Sequence, residues 1–181
     1  MTNDTDLIAL VDVHYEGEGA RAACLTAPTW EAATALDEWT VAVPHVEEYR
    51  PGFFFERELP CILAVLALAP TKPSVIVVDG YVVLDAEGRP GLGAHLFEHL
   101  GKQTPVIGIA KHSFAGSEFA EHVRRGSSQK PLFVTALGIS VAEAAENVRR
   151  MHGPHRIPTL CTRVDHLCRG LAQVLISKLT S

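Results

Sequence analysis

The stretch SVIVVDGYVVL, residues 74–84, is almost continuously apolar and β-branched, with one acid, Asp79, set into it. Such a run reads as a strand covered on both faces, and strands of that kind belong to the middle of a parallel or mixed sheet. On its N-terminal side, Phe53–Ala69 carries apolar residues at helical spacing and stops ahead of Pro70 and Pro73, which predicts a helix. Further back, LIALVDVHY (7–15) and GARAACLTA (19–27) flank a Gly-bearing EGEG turn as a hairpin, and WTVAVP (39–44) is a third strand. WEAATALDE (30–38) is either a short helical turn or plain connection. On the C-terminal side, DAEGRPG reads as a loop, Leu92–Leu100 as a helix, and PVIGIAK (105–111) and KPLFVTALGIS (130–140) as further strands. Ser140 is placed to cap a helix over Val141–His152, with Glu143 completing a capping box and Gly153–Pro154 ending it. A last helix is expected from Thr159 to about Lys178. Three strands followed by alternating helices and strands predict an α/β fold, a mixed β-sheet flanked by helices.

With 181 residues, of which 47% are hydrophobic and 20% charged, the chain is expected to form one domain over residues 1–181. Sixteen Lys+Arg against 21 Asp+Glu leave a net charge of -5, which excludes coating nucleic acid through net charge. A phosphate-bearing partner therefore needs local cations or a metal. No apolar run reaches the roughly 18 residues that span a bilayer, and the start MTNDTD lacks the basic opening of a signal peptide, so the expected setting is cytoplasmic, away from membranes. Cys24, Cys61, Cys161 and Cys168 form no C-x-x-C pair and read as packing residues.

Acids interrupt the apolar pattern in three places. Asp12 divides LIALV from VHY, Asp79 precedes Gly80, and Glu58 lies in FERELP, where Phe54, Phe55, Leu59 and Ile62 outline an apolar helix face. An ionised carboxylate in such surroundings is costly unless it is paired, hydrogen-bonded or metal-bound. Three carboxylates without a thiolate suit Mg²⁺, or Mn²⁺ in its place, which activates water and stabilises an anionic phosphorane-like transition state. That is phosphodiester chemistry. The alternative reading has Asp12 ending a hairpin ladder, Asp79 making an Asx-type turn with Gly80, and Glu58 pairing with Arg57 or Arg50 in solvent. A second metal motif competes: His95, Glu98 and His99 in HLFEH match the H-x-x-E-H spacing of zinc hydrolases, with Glu143 or Glu146 as the nearest third ligands. The imidazoles of His152 and His155 and the guanidinium of Arg156 are placed at a helix end to meet backbone carbonyls or phosphate, with helix capping as the plainer role.

Taken in order, VDVHY, YRPG followed by FERELP, VIVVDG, PVIGIAK, and PLFV with a downstream HRIP resemble endonuclease V over about residues 7–169. The resemblance implies a ribonuclease H-like fold and a Mg²⁺-dependent nuclease. Such an enzyme recognises deaminated purine, chiefly inosine, in DNA or RNA and cuts the second phosphodiester 3′ to it, leaving 3′-hydroxyl and 5′-phosphate ends. It further implies that Asp12, Glu58 and Asp79 are metal ligands and that Lys111 stabilises charge at the scissile phosphate. Tyr49, Arg50, Pro51 and Gly52 resemble the family's strand-opening wedge, with Tyr49 as the stacking group, although a β-turn with Pro51 at its second position has the same sequence. Gly80 and Gly108 resemble glycines that admit backbone amides to the purine edge, or they merely turn the chain.

The chain also departs from the pattern. Leu137 stands where the family has a histidine in a TGHR-like segment, and Asp85 stands near a second expected histidine in a loop about three residues longer than usual. His95 and His99 both fit a third family histidine. The segment between Lys111 and Pro131 is shorter than in the family, and no helix is expected before the first strand. These changes open a rival reading, a nucleic-acid binder that kept the fold and lost the chemistry.

Overall fold

Strict alternation in the first hairpin sorts its side chains onto two faces, and the sheet grows from there. The computed structural model describes residues 7–48, 50–114 and 117–171. Its elements are β1 (Ile8–Glu16), β2 (Gly19–Ala27), β3 (Asp37–Val43), α1 (Phe54–Leu66), β4 (Val75–Asp79), α2 (Leu92–His99), β5 (Val106–Ala110), β6 (Glu121–Val123), β7 (Leu132–Leu137), α3 (Val141–Arg150) and α4 (Thr159–Cys168). The strands form one mixed sheet in the order β3-β2-β1-β4-β5-β7-β6. The three strands β1, β4 and β5 run parallel, and the pairs on either side of them are antiparallel.

Residues of opposite parity on β1 feed two cores. Ile8 and Leu10 pack with Ala144 and Val148 of α3 and Leu160 and Val164 of α4. Ala9 and Val11 pack on the other face with Leu59, Ile62 and Val65 of α1 and Leu96 of α2. Each fully buried Leu or Ile contributes about 1.5–3 kcal/mol, so the two cores fix which way each strand faces. The cap on α3 forms as expected, with the Glu143 N–H donating to the Ser140 hydroxyl at 3.1 Å. In contrast, α1 starts after Phe53 without a side-chain cap and contains Pro60, so its stability comes from its buried apolar stripe of Leu59, Cys61, Ile62 and Val65.

Some expected boundaries move. The strand expected over 74–84 is cut at Asp79, because Gly80 takes φ +118° and turns the chain away; Val83 then bridges back to Pro90. Residues 30–36 contribute no helix, only connection, and Asp37 and Glu38 already belong to β3, which starts two residues earlier than expected. Phe54, expected on the apolar face, is exposed, whereas Leu59 and Ile62 are buried. The short strand β6 and the 3₁₀ turn Ser117–Phe119 before it were not expected. Tyr49 and the last helix's expected reach past residue 171 lie outside the described residues. No helix among the described residues is long and apolar enough to cross a membrane.

Gly108 in β5 explains how the turn after β4 can lie against the sheet. A Cβ there would sit 2.4 Å from the Gly80 carbonyl oxygen, 2.9 Å from the Val82 nitrogen and 3.0 Å from the Thr135 hydroxyl, which itself accepts from Val82 N–H at 2.8 Å. Gly108→Ala is therefore expected to destabilise the protein by about 1–3 kcal/mol, as overpacking against backbone does. Chemical denaturation checks this: the midpoint should fall clearly for Gly108→Ala and much less for a Ser127→Ala control on the exposed surface.

Candidate active site

The parallel register brings the chemistry to one end of the sheet. Val11 pairs with Val78 and Asp79 with Ile109, so Asp12, Asp79 and Lys111 all stand where β1, β4 and β5 finish their mutual ladder. All three line one pocket, whose remaining wall includes Ile157, Pro158 and Cys161 around the start of α4. Glu58 arrives from the opposite layer, at the N-terminal end of the buried stripe of α1.

Burial governs the electrostatics. Asp12 is only 9% exposed, and desolvation, reinforced by the charge of Asp79, pushes its carboxyl up to about 6, against a hydrogen bond of 2.8 Å from Val13 N–H that favours the ion. Glu58 is 6% exposed. Desolvation, followed by the charges of Asp12 and Asp79, raises it to about 8, and its Oε2 is buried without a hydrogen-bond partner among the described residues. Lys111 Nζ donates to Asp79 Oδ2 at 2.6 Å. Burial lowers the lysine's proton affinity, yet the hydrogen bond and the negative charges of Asp79, Asp12 and Asp165 outweigh it, and Lys111 stays protonated above its ordinary range. Tyr15, below the site, has its hydroxyl buried and its ionisation suppressed by desolvation and by Glu58, while the Arg57 guanidinium lies 4.4 Å from its ring centre.

The sequence missed one acid. Asp165 on α4 offers an oxygen that, together with atoms of Asp12 and Cys168, forms a group mutually within 4.8 Å. The trio expected from sequence does not close to that distance among the described residues, since Asp79 is drawn onto Lys111 and Glu58 reaches Asp12 as a charge. Asp165 sits in a helix that reads as amphipathic surface, and only its position one turn from buried Cys168 marks it. An unsatisfied buried carboxylate oxygen among acids whose protons are held too tightly is the donor set that a hard divalent cation satisfies.

The remaining expected residues fall as follows. Arg50 carbonyl accepts from Phe53 N–H at 2.9 Å and Gly52 has φ +83°, so Arg50, Pro51 and Gly52 build a type II β-turn ahead of α1. Arg50 pairs with Glu56 at 3.0 Å and stacks on Phe53, which leaves Glu58 without the solvent ion pair that the alternative reading gave it. Gly80 supplies the turn after Asp79, and the space above Gly108 is filled by this chain's own residues 80–82. Asp85 is a loop carboxylate bound by Arg89 at 3.2 Å, and Leu137 packs into the apolar layer.

The zinc alternative is not built. His95 stacks on Phe55 with ring centres 3.6 Å apart, Glu98 pairs with Lys102 at 3.0 Å, and His99 Nδ1 lies 3.1 Å from the His95 carbonyl. No third ligand joins them among the described residues. His152 meets the Thr159 hydroxyl at 3.0 Å, and Arg156 donates to backbone carbonyls.

Comparison with known proteins shows the family and the fold. The family model Endonuclease V matches residues 1–166. The chain belongs to the endonuclease V family. It is 33% identical over 192 residues to an endonuclease V of Streptomyces avermitilis, covering 91% of this chain and 80% of that one. A crystal structure of endonuclease V from the same organism superposes with a TM-score of 0.74 at 27% identity, covering 95% and 83% of the two chains. A Ciona intestinalis endonuclease V, solved with a 23mer DNA containing an inosine followed by a ribo-adenosine, gives 0.72 at 17% identity over 96% and 88%, a likeness of fold. This endonuclease V family member is thus an α/β protein of a nuclease family, with a ribonuclease H-like mixed sheet.

The raised carboxyls set a pH dependence whose sign can be worked out. Between the ordinary value of 4.5 and about 8, native Glu58 holds a proton that the unfolded chain releases, and Asp12 does the same between 3.8 and about 6. Stability therefore falls as pH rises through these windows. In the absence of divalent ions the denaturation midpoint should be higher at pH 5 than at pH 8; Glu58→Gln should flatten that slope, and Mn²⁺ should raise the midpoint most at the alkaline end. An unchanged slope in Glu58→Gln would remove Glu58 as its source.

Proposed function

We propose that this protein is a Mg²⁺-dependent endonuclease that hydrolyses a phosphodiester 3′ to inosine in a DNA or RNA strand. The observation that carries the reading is the convergence of buried Asp12 and Glu58 with the Asp79–Lys111 pair at one sheet end, in a chain of the endonuclease V family. Asp12, Glu58 and Asp79 would hold the cation, with Asp165 as an added acid beside Asp12. Mg²⁺, or Mn²⁺ in its place, supplies Lewis-acid polarisation of the phosphate and a nucleophilic water at neutral pH.

The chain's own groups do the rest. Ionisation of Glu58 and Asp12 is opposed by burial and by mutual repulsion, so the pocket favours a cation that relieves both. Lys111 keeps a positive charge against Asp79, where it neutralises one acid and faces the phosphate that approaches the pocket. The Arg50–Phe53 turn, with rigid Pro51 and left-handed Gly52, projects from the start of α1, the helix that carries Glu58, and would part the strand next to the site, with Tyr49 stacking on its bases. Gly80, with open space where a side chain would stand, would leave room for a purine edge, whereas Gly108 admits only this chain's own residues 80–82.

Leu137 and Asp85 favour a second reading, because neither can supply the imidazole that the family pattern has at those positions. A cleavage assay decides between them. With Mg²⁺, inosine-containing RNA or DNA should be cut at the second phosphodiester 3′ to inosine. Asp12→Asn, Glu58→Gln or Asp79→Asn should each lower the rate by about a thousandfold or more, the scale of losing a metal-centred charge clamp. Tight binding with no product above the Asp79→Asn background would establish the binder instead.

A further inference from the structure

Lys111 owes its position to the main chain that carries it, and two side chains outside the acid cluster hold that main chain. Arg156 directs one guanidinium nitrogen to the Lys111 carbonyl and to the Pro131 carbonyl, the latter at 2.8 Å, bridging the end of β5 to the approach to β7. It makes no ion pair with an acid among the described residues; its Nη2 serves backbone, and its Nε is buried without a hydrogen-bond partner among them. Arg156 is itself placed by buried Arg125, which donates to the carbonyls of Met151, Gly153, His155 and Arg156 and so wraps the segment that leads into the pocket wall at Ile157 and Pro158. Gly126 lets that segment close, since a Cβ there would meet the Pro154 carbonyl oxygen at 2.3 Å.

From the other side comes Tyr81, two residues past Asp79. Its hydroxyl donates to the His112 carbonyl at 2.9 Å and accepts from Phe114 N–H at 3.2 Å, while its ring packs near Phe114, Phe119 and Phe133. The turn that presents Asp79 therefore also grips the turn that presents Lys111. A lysine has four rotatable side-chain bonds, and its ammonium can hold a fixed 2.6 Å contact productively only if its backbone does not drift.

We propose that Arg156 and Tyr81 are positioning residues, a two-sided clamp on Lys111–Phe114 that sets the Lys111 ammonium against Asp79 and the scissile phosphate. This rests on the reading of the pocket as a phosphodiesterase site. The test is a double-mutant cycle in single-turnover cleavage of an inosine-containing strand. Tyr81→Phe, which keeps the ring, and Arg156→Lys, which keeps the charge, should each slow cleavage about tenfold while strand affinity stays within about twofold. In a Lys111→Ala background the same substitutions should add less than about twofold, because the group they position is gone. Equal losses in both backgrounds, or weakened binding with an unchanged rate, would overturn the clamp. If the unaltered protein cuts no such strand, the nuclease reading alone fails, and amide hydrogen exchange judges the clamp. Faster exchange at His112–Phe114 in both variants, with β5 unchanged, supports it; unchanged exchange refutes it.

Discussion

An ionised carboxylate loses several kcal/mol of hydration when it leaves water, and a neighbouring negative charge adds to the penalty. Asp12 and Glu58 both leave water here, from opposite layers of the molecule, and each feels the other and Asp79. Neither has a basic side chain hydrogen-bonded to it among the described residues; the lysine of the site is committed to Asp79. The fold can hold such an arrangement because two independent apolar cores grip β1 from both sides. Asp12 is carried by that strand, and Glu58 by the helix whose apolar stripe packs on the sheet. Burial favours retention of the Glu58 proton through neutral pH and of the Asp12 proton only below about 6, and cation binding is the alternative the donor set offers.

Much of this was legible in the residues. The hairpin, the parallel strands around Asp79 and the capped helix at Ser140 each announce themselves by local pattern, because periodicity and capping act over a few residues. Asp12, Glu58 and Asp79 stood out for the same reason: each breaks an apolar pattern whose burial is otherwise assured. The strand expected over 74–84 is longer than the one that forms, because local pattern does not record where a chain turns. Val82, Val83 and Leu84 are as β-branched and apolar as the residues before Gly80, and only the turn at Gly80, whose Val82 N–H goes to Thr135 across the sheet, sends them elsewhere.

Asp165 and Arg125 were illegible for a different reason, and Arg156, which the sequence places to meet backbone carbonyls, gave no sign of which ones. Their roles come from tertiary contacts with main-chain carbonyls or with Asp12, and a charged residue on an amphipathic helix or in a loop carries no local mark of them. The same holds for β6, three residues long, whose pairing with β7 is set by where the preceding loop lands. The rule that emerges is physical: a buried acid betrays itself by its neighbours in sequence, whereas an arginine that serves backbone does so only through partners far along the chain.

Gly108 unites these levels. A single missing side chain in β5 lets residues 80–82 lie against the sheet. That approach brings Tyr81 within reach of the turn after Lys111, and Tyr81 follows directly on the turn that presents Asp79. The parallel register puts an acid and a base 32 residues apart at neighbouring strand ends, and the packing that Gly108 admits braces the turns that hold them at 2.6 Å. Substrate chemistry at this pocket would depend on that spacing. Any change that lifts residues 80–82 off β5 should therefore disturb the charge pair before it disturbs either core, since the apolar layers on both faces of β1 make no use of Tyr81.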